Sequence, residues 1–197
     1  MPMKNIVFDL GGVVFARDPK KCKPEFVEFF SFVRFPQMPA FWEEYDRGAL
    51  TYDEVVELLC REKGVDRATC EGYMREAIDR QEAIFPTERL IADLKAAGYR
   101  LYVLSNMSKE FIEFLRRVPV YRYFDGEVVS CEEKVVKPDP AIFRILLERY
   151  GLQPGDTLFI DDRPANVEAA RGCGIEGFLF DHRNPEASCK QLREQLL

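Results

Sequence analysis

The chain has 197 residues, long enough for one domain with a full core and an inserted subdomain, and short for two independent domains. With 47% hydrophobic and 31% charged residues and a formal net charge of -6, it reads as a globular protein with small-molecule partners rather than a nucleic-acid binder. The six cysteines form no C-x-x-C pair, and the single histidine, His182, leaves no Cys/His cluster for zinc, so free thiols are expected.

The N-terminal Met1-Pro2-Met3-Lys4-Asn5 runs straight into an apolar stretch with no leader-like region, and no run approaches the ~18 apolar residues a spanning helix needs. A cytoplasmic protein with no membrane association is the expectation. Short apolar runs bounded by turn residues recur at 5–9, 100–104, 126–129, 157–160 and 177–180. Helical patterns lie between them: Thr87 to Ala97, Lys109 to Arg117, Pro140 to Tyr150 and Pro164 to Arg171, with Gly98, Gly151 and Gly172 as stops. Strands alternating with helices predict an α/β fold, a Rossmann-like parallel sheet whose ligand crevice lies beyond the carboxyl ends of the strands.

Asp9 ends the first run, Ile6-Val7-Phe8-Asp9, and Leu10-Gly11-Gly12-Val13 follows at once. A buried strand thus delivers a carboxylate to a glycine-bent loop, where Asp9 could form an aspartyl phosphate and split ester hydrolysis into two easier displacements. Residues 17–84 are too long for one crossover, so they are expected to be an α-helical insertion of four helices, with 1–16 and 85–197 forming the core. Thr51-Tyr52-Asp53-Glu54 is a capping box, Asp66 can cap the next helix, and Gly48 and Gly64 are plausible stops. The stripe Phe26, Phe29, Phe30, Phe41 and Trp42 reads as a small helical core rather than a substrate pocket.

Past the insertion, Ser105-Asn106 closes Leu101-Tyr102-Val103-Leu104 and offers a hydroxyl and backbone N–H groups to phosphate oxygens. Ser108 reads as a plain N-cap. Lys137 precedes Pro138-Asp139-Pro140, in which Asp139 can cap and Pro140 open a helix, so its ammonium would be held rigidly to neutralise phosphate and screen Asp9. Asp161-Asp162 follows Thr157-Leu158-Phe159-Ile160 and supplies hard oxygen ligands suited to Mg²⁺. Two adjacent acids facing Asp9 would repel it without a cation. His182, Arg163 and Arg47 read as structural or solvated.

These residues resemble the haloacid dehalogenase superfamily: Asp9-Leu10-Gly11-Gly12-Val13, Ser105-Asn106, Lys137-Pro138-Asp139-Pro140 and Ile160-Asp161-Asp162-Arg163-Pro164-Ala165-Asn166-Val167 match its four motifs in order. Gly11 is similar to its glucose-1-phosphatase-like and epoxide-hydrolase-N-terminal-like branches. The resemblance implies Mg²⁺, an aspartyl-phosphate intermediate and a helical cap. It also implies that Asp9 is nucleophile and metal ligand, that Gly11 lends its carbonyl to the metal, and that Asp162 is a more direct ligand than Asp161. Ser105, Asn106 and Lys137 would bind the phosphate. The family's general acid and base, two residues after the nucleophile, is here Gly11, which cannot exchange a proton.

Asp18 is the first candidate to replace that group, with Asp46 or Glu44 behind it. The leading expectation is a Mg²⁺-dependent phosphatase of small phosphorylated metabolites, with sugar phosphates foremost. The alternatives are a catalytically weak phosphate-metabolite binding or sensor protein, a 2-haloacid dehalogenase and a phosphomutase. Oligomeric state is not legible in one sequence.

Overall fold

The computed structural model describes residues 3–34 and 38–197; residues 1, 2 and 35–37, which fall in the expected core and insertion ranges, lie outside the described residues. In chain order the elements begin with β1 (Asn5–Phe8), β2 (Phe15–Ala16), α1 (Pro24–Phe29), α2 (Ala40–Asp46), α3 (Tyr52–Lys63), α4 (Arg67–Asp79) and β3 (Glu82–Ala83). They continue through α5 (Phe85–Ala96), β4 (Arg100–Ser105), α6 (Lys109–Leu115), β5 (Gly126–Val129), α7 (Ser130–Glu133) and α8 (Pro140–Tyr150). The chain closes with β6 (Thr157–Asp161), α9 (Pro164–Gly172), β7 (Glu176–Leu179) and α10 (Pro185–Leu196).

The five-stranded sheet runs β5-β4-β1-β6-β7 with every pairing parallel, so it is an α/β fold with β1 at the centre. Strand side chains alternate between two apolar layers, as the two-residue repeat requires. Ile6, Phe8, Leu101 and Val103 pack against Leu90, Ile91 and Leu94 of α5, Ile112 of α6 and Leu192 of α10. Val7, Tyr102, Leu104 and Phe159 face Ile142, Phe143 and Leu146 of α8 and Ala170 of α9. Burial on both faces is why these strands read as unbroken apolar runs.

The segment between β1 and α5 carries four α-helices among the described residues, and its ends are joined where Phe15–Ala16 pairs antiparallel with Glu82–Ala83. The capping box forms as expected: Thr51 N–H donates to Glu54 Oε2 (2.8 Å) and Glu54 N–H to Thr51 Oγ1 (3.3 Å). Asp66 accepts from Thr69 N–H, and Gly64 ends α3 in the left-handed conformation. Phe26, Phe29, Phe30 and Trp42 are buried together with Leu59 and Met74, and Phe41 packs against them, so the aromatic stripe is a helical core. Phe111 of α6 joins the same cluster and ties the helical segment to the sheet side of the molecule.

Three local expectations are corrected. Ser108 occupies the N-cap position of α6 but makes no side-chain cap. α9 continues through Gly172, and the left-handed glycine is Gly174. Helix α10 has no counterpart among the expected elements, although Asn184 accepts from Ala187 N–H and Pro185 opens the helix, which are ordinary start signals. All six cysteines are free thiols. No helix among the described residues is long and apolar enough to cross a membrane.

Candidate active site

The register of the sheet assembles the site. Phe8 is level with Val103 on one side and Ile160 on the other, so Asp9, Ser105 and Asp161 emerge together at the carboxyl end. The chain moves from β1 outward through β4 and β5, then crosses back to β6 and β7, which puts this end of β1 at the topological switch point. Asp9 N–H donates to Ile160 O (2.9 Å), fixing the first residue beyond the strand.

Lys137 reaches this point from the loop before α8, whose start is set by Asp139 accepting from Ala141 N–H (2.8 Å) and by Pro140. Asn106 holds that loop through both amide atoms: its Nδ2 donates to Lys137 O (2.9 Å), and Lys137 N–H donates to its Oδ1 (2.7 Å). The Asn106 side chain thus positions Lys137, while the expected phosphate donor at this residue is its backbone N–H. Lys137 Nζ donates to Asp9 Oδ1 (2.8 Å), Asp161 Oδ2 (2.7 Å) and Leu104 O (2.8 Å), which uses all three ammonium protons. No ammonium proton is left over for a further acceptor. Burial alone would lower the Lys137 pKa, but Asp161 and Asp9 outweigh it and the net direction is upward, so the ammonium persists.

Ser105 Oγ also donates to Asp9 Oδ1 (3.0 Å). Burial, only partly offset by Lys137, raises the Asp9 pKa, and repulsion from Asp161 adds to it. Asp161 is fully buried and accepts from Arg163 N–H (2.8 Å) and Asn166 Nδ2 (3.0 and 3.1 Å) besides Lys137. Leu104 O is a partner that the motifs do not indicate, whereas Asn166 falls within the fourth motif without an assigned role and stands at the start of α9, on the face that returns to the strand end.

Asp162 differs from its neighbour. It does not cap α9, whose N-cap is Arg163, and its Oδ2 lies 3.2 Å from His182 Nδ1, a pairing across sequence that gives His182 a place beside the site. Burial first, then Asp9 and Asp161, push the Asp162 carboxyl up to about 7. Ligand oxygens of Asp9, Asp161 and Asp162 all lie within 4.8 Å of one another. Three acids with hard carboxylate oxygens, of which Asp162 is raised by burial and then by like charge, suit a divalent cation that keeps several waters.

Gly12 makes that approach possible. Its φ is +81°, and a Cβ there would stand 2.7 Å from Asp162 Oδ2. Gly12→Ala is expected to cost about 1–3 kcal/mol through the left-handed backbone and to displace Asp162 as well. Thermal unfolding with and without Mg²⁺ checks this: the stabilisation by Mg²⁺ should shrink in the variant, and an unchanged increment would mean that Asp162 tolerates displacement. Gly11, by contrast, has no atom within 4 Å of a built Cβ and no positive φ.

The three carboxylates considered as replacements for the missing acid and base part company. Asp18 Oδ1 accepts from Lys20 N–H (2.9 Å) within its own turn. Glu44 pairs with Arg47 (3.1 Å), and Glu43 does the same (2.7 Å), which also accounts for Arg47. Asp46 is buried, with Arg163 and Asp9 among the charges that act on it. Helical phase carried that signal: Trp42, Tyr45 and Asp46 stand at i, i+3 and i+4 on the buried face of α2.

Comparison with known proteins bears on this arrangement. A family model described as haloacid dehalogenase-like hydrolase matches residues 3–174. The chain is 30% identical over 168 residues to mouse acyl-CoA dehydrogenase family member 10, covering 79% of this chain but 15% of that protein. It is 24% identical to sesquiterpene phosphatase astK of Aspergillus oryzae, covering 97% and 95% of the two chains. It is 27% identical to D-ribitol-5-phosphate phosphatase of Bacteroides thetaiotaomicron, covering 89% and 91%. Among solved structures, a predicted HAD-like family hydrolase from Porphyromonas gingivalis superposes with a TM-score of 0.76 at 27% identity, covering 99% and 100%. HAD family enzyme bt-2542 from Bacteroides thetaiotaomicron, in complex with magnesium and inorganic phosphate, shares the fold with a TM-score of 0.72 at 24% identity, covering 91% and 95%.

Proposed function

The chain belongs to the haloacid dehalogenase-like hydrolases, and from that premise we propose that it is a Mg²⁺-dependent phosphatase of small phosphorylated metabolites, sugar phosphates foremost, working through an aspartyl phosphate on Asp9. The observation that carries this reading is the convergence of Asp9, Lys137, Asp161 and Asp162 at the switch point of the sheet. Asp9, Asp162 and the Gly11 carbonyl would hold Mg²⁺ with Asp161 beside them, and when bound the ion would neutralise and orient the phosphate oxygens.

The chain's own groups do the rest. Asp9 attacks phosphorus through Oδ2, because Oδ1 already accepts from Ser105 and Lys137. Those two donors hold the carboxylate in one orientation, which is how positioning lowers a barrier. Lys137 offsets the charge of Asp9 and Asp161 as the anion arrives. Residues 17–84 act as a cap that closes over the strand ends, and Arg163, whose guanidinium lies 3.7 Å from Met38 Sδ, bridges the two sides. Relatives that are named phosphatases of a sesquiterpene and of D-ribitol 5-phosphate support phosphomonoester hydrolysis while differing in the alcohol.

Gly11 favours a second reading, a phosphate-metabolite binding protein with weak turnover. A 2-haloacid dehalogenase would leave Asp162 without a task. The deciding assay is inorganic phosphate released from a panel of sugar phosphates and one aryl phosphate, with Mg²⁺ and with chelator. Mg²⁺-dependent release from a narrow group is the expected result. Folded protein that binds Mg²⁺ yet releases no phosphate would put the binding reading first.

A further inference from the structure

We propose that Asp46, supplied by the helical insertion, is the general acid and base of the reaction, the role that Gly11 leaves vacant; this rests on the phosphatase reading above. Asp46 is the last residue of α2, and its side chain is turned inward with Trp42 and Tyr45. Its backbone is tied to the core side of the site, since Ser130 Oγ donates to Asp46 O and itself accepts from Met107 N–H (2.9 Å). Met107 lies two residues after Ser105, so the loop that follows the Ser105 end of β4 also anchors Asp46. Asp46 is thus a buried residue whose backbone is anchored where β4 and β5 end, beside Ser130 and Met107.

The groups acting on the Asp46 carboxyl come from both sides of the crevice. Burial dominates and pushes it up to about 8; Arg163 and the Ser108 backbone N–H pull it down, while Asp9 and Glu43 push it further up. Cys131 of α7 also feels its charge. At neutral pH the carboxyl is therefore mostly protonated and still able to ionise, which suits a group that must first give a proton and then take one. Asp18 and Glu44 are instead spent on a local turn and on Arg47.

The chemistry balances with no further reactant than water. As the Asp9 oxygen bonds to phosphorus and the ester P–O bond breaks, the Asp46 proton passes to the departing alkoxide, giving the alcohol and the aspartyl phosphate. Water then attacks phosphorus and gives one proton to the Asp46 carboxylate. The P–O bond to Asp9 breaks, inorganic phosphate leaves, and both side chains return to their starting states. Because the acid is carried by the insertion, its position depends on the docking of α2 against Ser130.

The test compares the full chain, Asp46→Asn and Asp46→Asn/Gly11→Asp on a sugar phosphate and on p-nitrophenyl phosphate, with Mg²⁺. Gly11→Asp restores a carboxylate where a Cβ meets nothing within 4 Å. In Asp46→Asn, sugar-phosphate turnover should fall by about 10²- to 10⁴-fold. With the aryl ester, whose leaving group needs no proton, a burst of about one equivalent of nitrophenolate should precede slow release of phosphate. The wild-type loss of kcat/KM above about pH 8 should vanish in the variant, and Gly11→Asp should recover at least about tenfold of the activity. Circular dichroism and thermal melting of both variants establish that they fold.

A folded Asp46→Asn with sugar-phosphate turnover near wild type would overturn the assignment alone. So would an equal loss on both esters with no burst and no rescue, which marks a structural role. A folded wild type that releases phosphate from neither ester nor the wider panel would overturn the phosphatase reading together with it.

Discussion

Asp9→Asn is expected to abolish phosphate release, by about 10⁴-fold or more as losses of covalent nucleophiles go, while leaving the fold intact. The amide keeps an oxygen to accept from Ser105 Oγ and Lys137 Nζ, so the side chain can stay in place. It has no carboxylate to bond phosphorus, and Asp161 is not free to substitute. Asp161 is fully buried, with both oxygens engaged by Lys137, Asn166 and the Arg163 N–H. Burial already disfavours the charged form of Asp9, so its neutral replacement carries a desolvation benefit against the lost ion pair with Lys137. Phosphate release from the best substrate of the panel, alongside a melt of the variant, checks both halves. A folded Asp9→Asn protein that keeps turning over would remove Asp9 from the mechanism and the aspartyl phosphate with it.

Much of this site was legible because the groups closest to Asp9 stand where regular elements end. A parallel strand buried on both faces leaves an apolar run that stops at the first polar side chain, and Asp9, Ser105 and Asp161 are those side chains. Lys137 was readable because Asp139 and Pro140 mark a helix start beside it. What stayed hidden are pairings between segments. Nothing local relates His182 to Asp162, or Arg163 to Met38. Asp46 sits in Glu43-Glu44-Tyr45-Asp46, which looks like a solvated acidic stretch until the phase of α2 sends Glu43 and Glu44 to Arg47 and turns Asp46 inward. Asp18 is the first candidate in the sequence because it stands at the entry to the insertion, a weak guide where the chain turns on itself after β2. Strand β7 lies at the sheet edge with a partly exposed pattern, so the apolar run 177–180 marks it only to within one residue of Glu176–Leu179.

The largest effect on stability belongs to Lys137→Met. The ammonium is almost wholly buried and joins two carboxylates and a carbonyl. A methionine fills similar volume but leaves Asp9 and Asp161 facing each other with no cation, and breaking a buried pair from one side costs about 3–5 kcal/mol. Against a typical total of about 5–15 kcal/mol this is a major loss. Its pH dependence has a definite sign. Losing Lys137 removes the main influence that lowers the Asp9 pKa, which burial and Asp161 already raise. A carboxyl raised above its unfolded value penalises the folded state at pH above its folded pKa, and the penalty shrinks as pH falls toward the unfolded value. Urea unfolding of wild type and Lys137→Met at pH 7.5 and 5.5 should therefore show a gap that narrows on acidification. Mg²⁺ should also stabilise the variant more than it does the wild type, because a divalent charge can stand in for the missing ammonium. Equal stability of the two proteins at pH 7.5, or a gap that widens in acid, would mean that Lys137 does not hold the charge balance of the site. The variant should lose phosphate release as well, even under acidic, Mg²⁺-rich conditions where it folds, because Mg²⁺ cannot restore the donor that orients Asp9 through Oδ1.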